Sequence, residues 1–209
     1  MNPIILAMDS GSVYKMEPLI KSINDNISNN RIYLITDKNV NVSWAFKIKV
    51  FDELNINFPI KRITKHSWYR LYIDILFPEL DKCIYLDFDT ILLNDISDLI
   101  DGEDFILRAV RDYPNKNFCN AGVLGINLKH DKFKELINNA RNDISEYNND
   151  QDIINKHFKN YIDYVDDSYN TWSININKIT YLPKLIHYIG YNKPFNEIKE
   201  WKYYYEYLY

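Results

Sequence analysis

A chain of 209 residues can close one substantial core and is too short for two comfortable ones. Its 25 Lys and Arg stand against 29 Asp and Glu, a formal charge of −4, which excludes the basic field that nucleic-acid binding needs. Cys83 and Cys119 lie far apart in apolar company with no CxxC spacing, so a zinc site or disulfide framework is not indicated and both read as small core residues.

In chain order, residues 3–8 read as a first strand. This apolar start lacks a basic flank and no later stretch is long enough to cross a bilayer, so neither a signal peptide nor a membrane span is expected, and the cytoplasm is the expected compartment. A helix follows over 13–27, with Met16, Leu19, Ile20 and Ile23 on one face, then strands over 31–36 and 45–51. Strand, helix, strand at this spacing is the signature of a crossover unit and a largely parallel sheet. Over 67–77 the apolar positions Trp68, Leu71, Tyr72, Ile75 and Leu76 recur at helical spacing, ending against Pro78. Arg70 falls off that face, four residues before Asp74, the spacing of a surface ion pair.

The run from Cys83 to Leu93 is apolar except for Asp87, Asp89 and Thr90. Buried carboxylates require a charge partner or a metal to offset desolvation. If the run is one strand, Asp87 and Asp89 point to the same side and converge, an arrangement suited to a hard divalent cation. If the strand ends at Asp87, Asp89 belongs to the turn after it, and the pattern fits both arrangements equally. Strands over 104–110 and 121–127 come next. Phe133, Leu136, Ile137, Ala140, Ile144 and Tyr147 mark a long amphipathic helix, 153–158 a shorter one, and 195–208 a last helix burying Phe195, Ile198, Trp201 and Tyr205. The expected fold class is α/β: one domain over 1–209 with a mixed, mostly parallel central sheet flanked by helices, and ligands at the carboxyl ends of its strands, where Asp87 and Asp89 fall.

Five blocks in order resemble glycosyltransferase family 8, the glycogenin-like and lipopolysaccharide-galactosyltransferase family. They are Tyr69-Arg70-Leu71, Tyr85-Leu86-Asp87-Phe88-Asp89, Phe118-Cys119-Asn120-Ala121-Gly122-Val123, Asp150-Gln151-Asp152-Ile153-Ile154-Asn155 and His187-Tyr188-Ile189-Gly190-Tyr191-Asn192-Lys193-Pro194. The resemblance implies a GT-A fold and a metal-dependent retaining transfer of glucose or galactose from a UDP-sugar to a hydroxyl on a glycan, protein or lipid. It implies Asp87, Asp89 and His187 as metal ligands, and a mixed oxygen and nitrogen set favours Mn²⁺ over Mg²⁺. It further implies Arg70, Gly190 and Lys193 near the diphosphate, Asn120 and Asp150 at the donor sugar, Gln151 near the anomeric carbon and Asp9 at the nucleobase. Gly11 and Ser12 depart from the usual Asn and Tyr beside that base pocket. Two other readings remain. Asp87-Phe88-Asp89-Thr90 also fits the nucleophile motif of a haloacid-dehalogenase-type phosphatase, with Asp166-Asp167 as its late acidic pair. A sugar-nucleotide-binding domain without turnover is the non-enzymatic reading.

Overall fold

The computed structural model describes residues 1–54, 56, 64–113 and 115–190. Lys193 and the expected helix over 195–208 lie outside them. Strands β1 (Asn2–Ala7) and β2 (Asn30–Thr36) pair in parallel, Ile4 opposite Ile32, and are joined by helix α1 (Glu17–Asn26). A 3-10 turn over Val13–Met16 precedes α1, and Pro18 sits in the helix's first turn, where a missing N–H costs nothing. Leu19, Ile20 and Ile23 are buried, as their spacing predicts. β3 (Lys47–Val50) adds to β2 in parallel.

The segment expected as one helix over 67–77 is a 3-10 helix over Lys65–Tyr72 that becomes α2 only at Ile73–Leu76. The tighter winding rotates side chains relative to a 3.6-residue pattern. Ile75, expected in the apolar face, is 48% exposed, whereas Arg70, expected on the surface, is buried. Asp74 is not its partner either, because Asp74 pairs with Arg141.

The remaining elements are β4 (Lys82–Leu86), β5 (Thr90–Leu92), β6 (Leu107–Arg111), β7 (Cys119–Asn127), α3 (Asp131–Asn142), α4 (Asp150–Phe158), β8 (Ile162–Tyr164), β9 (Thr171–Trp172) and β10 (Leu185–His187). The helix expected to run from Phe133 to Tyr147 stops at Asn142, and Ile144–Glu146 forms a separate 3-10 turn. Asp150, whose side chain could have capped the helix after it, is instead the first residue of α4, and Asn149 provides the cap by accepting from the Asp152 N–H.

Among the described residues, seven strands form the main sheet in the order β3-β2-β1-β4-β7-β6-β8. Only β7 runs against its two neighbours, so the sheet is mixed and mostly parallel, as expected. Ile4, Leu6, Ile84 and Leu86 pack with α1 on one face, while Ile5, Ala7, Cys83 and Tyr85 pack with α2, α3 and α4 on the other. Strands covered on both faces must be apolar throughout, which is why β1 and β4 read as unbroken runs. The expectation of a single sheet is corrected by a second, three-stranded one in the order β5-β10-β9. Cys83 and Cys119 are free and buried. No described helix is long and apolar enough to cross a membrane.

Candidate active site

The two carboxylates do not share a strand. β4 ends at Leu86, the Asp87 N–H donates to the Gly122 carbonyl at 2.7 Å, and the Thr90 hydroxyl closes the turn by donating to the Asp87 carbonyl at 2.8 Å. The chain then leaves the main sheet as β5. Period-2 alternation therefore does not bring Asp87 and Asp89 together. The second sheet does so: β10 runs antiparallel to β5 with His187 opposite Thr90, and the Tyr188 N–H donates to the Asp89 carbonyl at 2.9 Å. His187 Nε2 consequently lies 3.4 Å from Asp89 Oδ1 and 3.8 Å from Asp87 Oδ2. One ligand atom from each of Asp87, Asp89 and His187 falls within 4.8 Å of the others, a spacing that a single cation can bridge.

The orientation of His187 can be worked out from the backbone. The Gly122 N–H donates to Asn120 Oδ1 at 3.0 Å, which fixes that atom as the oxygen. The Asn170 atom facing the same oxygen at 2.9 Å must then be its NH2 group, so Asn170 Oδ1 faces His187 Nδ1, also at 2.9 Å. Nδ1 therefore donates to Asn170, and Nε2 is the ring nitrogen turned toward Asp87 and Asp89, the one placed to serve as a ligand if a cation binds there. Asp112, which sequence reading did not single out, accepts from Asn120 Nδ2 at 3.4 Å, and burial pushes its carboxyl up from the ordinary value. Asn170 was likewise missed, since an asparagine between Tyr169 and Thr171 carries no motif. Replacing Asn170 by Ala removes the acceptor that orients the His187 ring. The expected result is a roughly 10–100-fold loss of divalent-cation affinity, measured by calorimetric titration with Mn²⁺.

Gly122 has a matching role. A Cβ there would run into the His187 ring and come within 2.8 Å of Asp87 Oδ2. Gly122→Ala is expected to weaken cation binding at least about ten-fold and to cost about 1–3 kcal/mol of stability, read from the same titration and from urea unfolding.

Arg70 holds the other side of the site together. Its guanidinium donates to Asp87 Oδ1 at 2.7 Å and to the Ala121 carbonyl, and lies over the Tyr85 ring with 4.3 Å to the centroid. Its Nε lies 2.7 Å from Asp150 Oδ2, an ion pair in which no aligned hydrogen bond reaches that oxygen. Tyr85 also donates to Asp87 Oδ1, at 3.0 Å. Burial disfavours the Arg70 charge, but Asp150 and Asp87 more than offset this and keep its pKa raised. Burial pushes the Asp150 carboxyl up to about 6; Arg70 opposes the rise and Asp87 adds to it.

Gln151 Oε1 accepts from the Ala121 N–H at 3.0 Å, and Asn155 binds both the N–H and the carbonyl of Cys119 at 2.7 and 2.9 Å. The Asp150–Asn155 block is thus a latch that docks the first turns of α4 on the start of β7. Asp9 is half-buried just beyond β1, on the same edge of the sheet as Asp87. Gly190 has a φ of +90°, a left-handed conformation that disfavours a side chain, and a Cβ there would meet nothing within 4 Å. His66 is a further neighbour that no motif announces. Its ring lies 5.9 Å from that of Phe88, and burial holds its pKa below the ordinary value against the pull of Asp87 and Asp9.

Several known proteins are similar to this chain. Glycosyltransferase GlyE of Streptococcus pneumoniae is 25% identical over 93% of the chain and 57% of its own length. Human glycogenin-1 is 30% identical over 55% of the chain and 36% of its own length. The chain therefore spans little more than half the length of GlyE, and less of glycogenin-1. Among solved structures, that of GlyE superposes with a TM-score of 0.78 at 23% identity, covering 99% of this chain and 59% of GlyE. The galactosyltransferase LgtC, solved with donor and acceptor sugar analogues, superposes with a TM-score of 0.74 at 21% identity over 98% of this chain and 94% of its own. These likenesses show the GT-A fold. The model of the family described as glycosyl transferase family 8 matches residues 12–199, nearly the whole chain and all five of the blocks around this site, and the chain belongs to that family.

Proposed function

We propose that this glycosyltransferase moves a hexose, glucose or galactose, from a UDP-sugar to a hydroxyl acceptor, with retention at the anomeric carbon and with a divalent cation held by Asp87, Asp89 and His187. The observation that carries this reading is the orientation of His187, whose Nε2 is turned toward a pair of carboxylates by a buried hydrogen-bond chain that starts at the Gly122 N–H. Two oxygen ligands and one nitrogen suit Mn²⁺, with Mg²⁺ the weaker fit. Such an ion would supply neutralisation of the charge that develops on the departing diphosphate.

The chain's own residues supply the positioning. Arg70 holds Asp87 toward His187 and anchors α4 through Asp150, so that Gln151 and Asp150 border the space beyond β7 where a donor hexose would lie. Asp9 stands on the β1 side, where the nucleobase would lie, and Gly190 follows the last ligand closely enough for backbone to approach a phosphate. Lys193 completes the proposed diphosphate contacts. Asp150 is 5% exposed and ion-paired with Arg70, which makes it a poor nucleophile. Gln151 is neutral and tethered through its carbonyl. Front-face substitution, in which the departing phosphate takes the acceptor proton, fits both residues better than a covalent intermediate.

Incubation with UDP-glucose or UDP-galactose and Mn²⁺ is expected to release UDP and to form an α-linked product from the α-linked donor, followed by NMR of the anomeric proton. A β-linked product, or a glycosyl adduct on Asp150 found by mass spectrometry, contradicts the mechanism. The phosphatase alternative fails on both fold and site. Asp87 follows the fourth strand, not the first, its Oδ1 is occupied by Arg70 and Tyr85, and Asp166 caps the 3-10 turn at Asp167–Asn170 by accepting from the Ser168 N–H.

A further inference from the structure

A cavity of about 270 Å³ opens on the β6 side of the site, and no part of the donor reading uses it. Its wall includes Asn170, the residue that orients His187, so one side chain links the cavity to the candidate metal centre. Strand order explains its place. At the carboxyl edge of the sheet, β4 ends at Leu86 just before Asp87, the start of antiparallel β7 lies next to it, and β6 follows with Arg111 opposite Cys119. Neighbouring strands lie about 4.8 Å apart, so the end of β6 is about 10 Å from the end of β4. That separation leaves room over β7 for one hexose between the metal ligands and the cavity.

The lining has two characters. Tyr113 and Trp172 present rings 5.6 Å apart, tilted by 51°, with Tyr113 54% exposed, an open aromatic surface of the kind on which a sugar's C–H face stacks. Around these rings stand Arg111, Lys116 and Lys178, against one carboxylate, Asp167. Among the described residues none of the three cations forms an ion pair. Arg111 is held in place by stacking on Tyr164 at 3.6 Å and by donating to the Lys116 carbonyl at 2.7 Å, while Lys116 lies 5.5 Å from the Tyr113 ring centroid. In a chain of net charge −4, whose candidate reaction centre is built from Asp87, Asp89 and Asp150, three cations without an ion pair among the described residues line this cavity.

We propose that the cavity is the acceptor subsite and that the acceptor is an anionic saccharide, one carrying a carboxylate or a phosphate group. This deepens the transferase reading and rests on it for the acceptor's role. The charge pattern also orients the acceptor. Its anionic group is repelled by the carboxylates of the reaction centre and drawn to Lys178 and Arg111, while the ring stacks on Trp172 and Tyr113 and turns a hydroxyl toward the donor sugar.

The test uses ligand-observed NMR titration of the whole chain with three probes: methyl glucoside, methyl glucuronide and methyl glucoside 6-phosphate. At least one anionic probe is expected to bind about ten-fold more tightly than the neutral one, and its advantage is expected to shrink as salt is raised. The two anions distinguish a uronate from a phosphate as the acceptor's charge. The double variant with Lys178→Gln and Arg111→Gln, both at exposed positions, is expected to bind all three probes alike, and Trp172→Ala to weaken all three. Equal binding of neutral and anionic probes, or a preference that survives the double variant, overturns the proposal. Hydrolysis of the UDP-sugar without acceptor, measured in parallel, tests the transferase reading separately. Anion preference without any donor turnover would remove that reading and leave the subsite standing, whereas turnover without preference would do the reverse.

Discussion

Asp89→Ala is expected to lower cation-dependent turnover of the UDP-sugar by at least about a thousand-fold, equivalent to about 4 kcal/mol of transition-state stabilisation. Asp89 is 2% exposed and faces His187 Nε2 at 3.4 Å, so it is the more enclosed of the two candidate acidic ligands. The substitution removes one of two neighbouring carboxylates and relieves their repulsion, so unfolding without metal should shift by no more than about 1 kcal/mol. The two measurements separate a ligand from a scaffold residue. An ion held by these three residues would stabilise the native protein by mass action, so a rise in melting temperature with Mn²⁺ is expected for the native protein and should vanish in Asp89→Ala while the metal-free transition stays in place. A melting temperature that still rises with Mn²⁺ to the native extent would remove Asp89 from the ligand set.

Arg70→Met is the substitution expected to cost most stability. The guanidinium is the single charge between Asp87 and Asp150, and its loss leaves two carboxylates facing each other in a buried space. Breaking a buried pair from one side typically costs about 3–5 kcal/mol, and the same range is expected here from urea unfolding. The penalty should depend on pH. Asp150 has a folded-state pKa of about 6 even with Arg70 present, above its unfolded value of 3.8, so between these values the folded state binds more protons. Stability attributable to this group therefore falls as pH rises through that window. Without Arg70 the folded pKa climbs further, so Arg70→Met should be closer to the native protein at pH 5 than at pH 8. Arg70→Lys should not restore it, because one ammonium cannot reach Asp87, Asp150 and the Ala121 carbonyl together. A penalty independent of pH would mean that Asp150 is ionised in both folded proteins.

Legibility varied with the kind of information each residue carries. Asp87, Asp89 and His187 were readable because ligand types in ordered blocks are a chemical signature that survives without geometry. Arg70 was readable as a site residue only through its block, since helical periodicity turned it to the surface and a 3-10 helix turned it inward. Asn170, Asp112 and His66 were not readable. Each is an ordinary polar residue until burial and a neighbour give it a task, and those neighbours lie 17 or more residues away for Asn170.

Local chemistry by itself determined the alternation of strands and helices, the two-faced apolar character of β1 and β4, the family and the identity of the candidate ligands. Those follow from side-chain type and short-range period, which need no partner to be read. Only the tertiary structure decided that the two aspartates lie in a turn, that β5 leaves the main sheet to pair with β10, and that His187 is thereby set beside Asp89. It alone decided the polarity of the chain from Gly122 through Asn120 and Asn170 to His187, and the place of the cationic cavity beyond β6. The physical reason is the same in each case. Register between segments about a hundred residues apart is set by the pairing of whole sheets and the burial of their faces, a global balance that no local window of sequence contains.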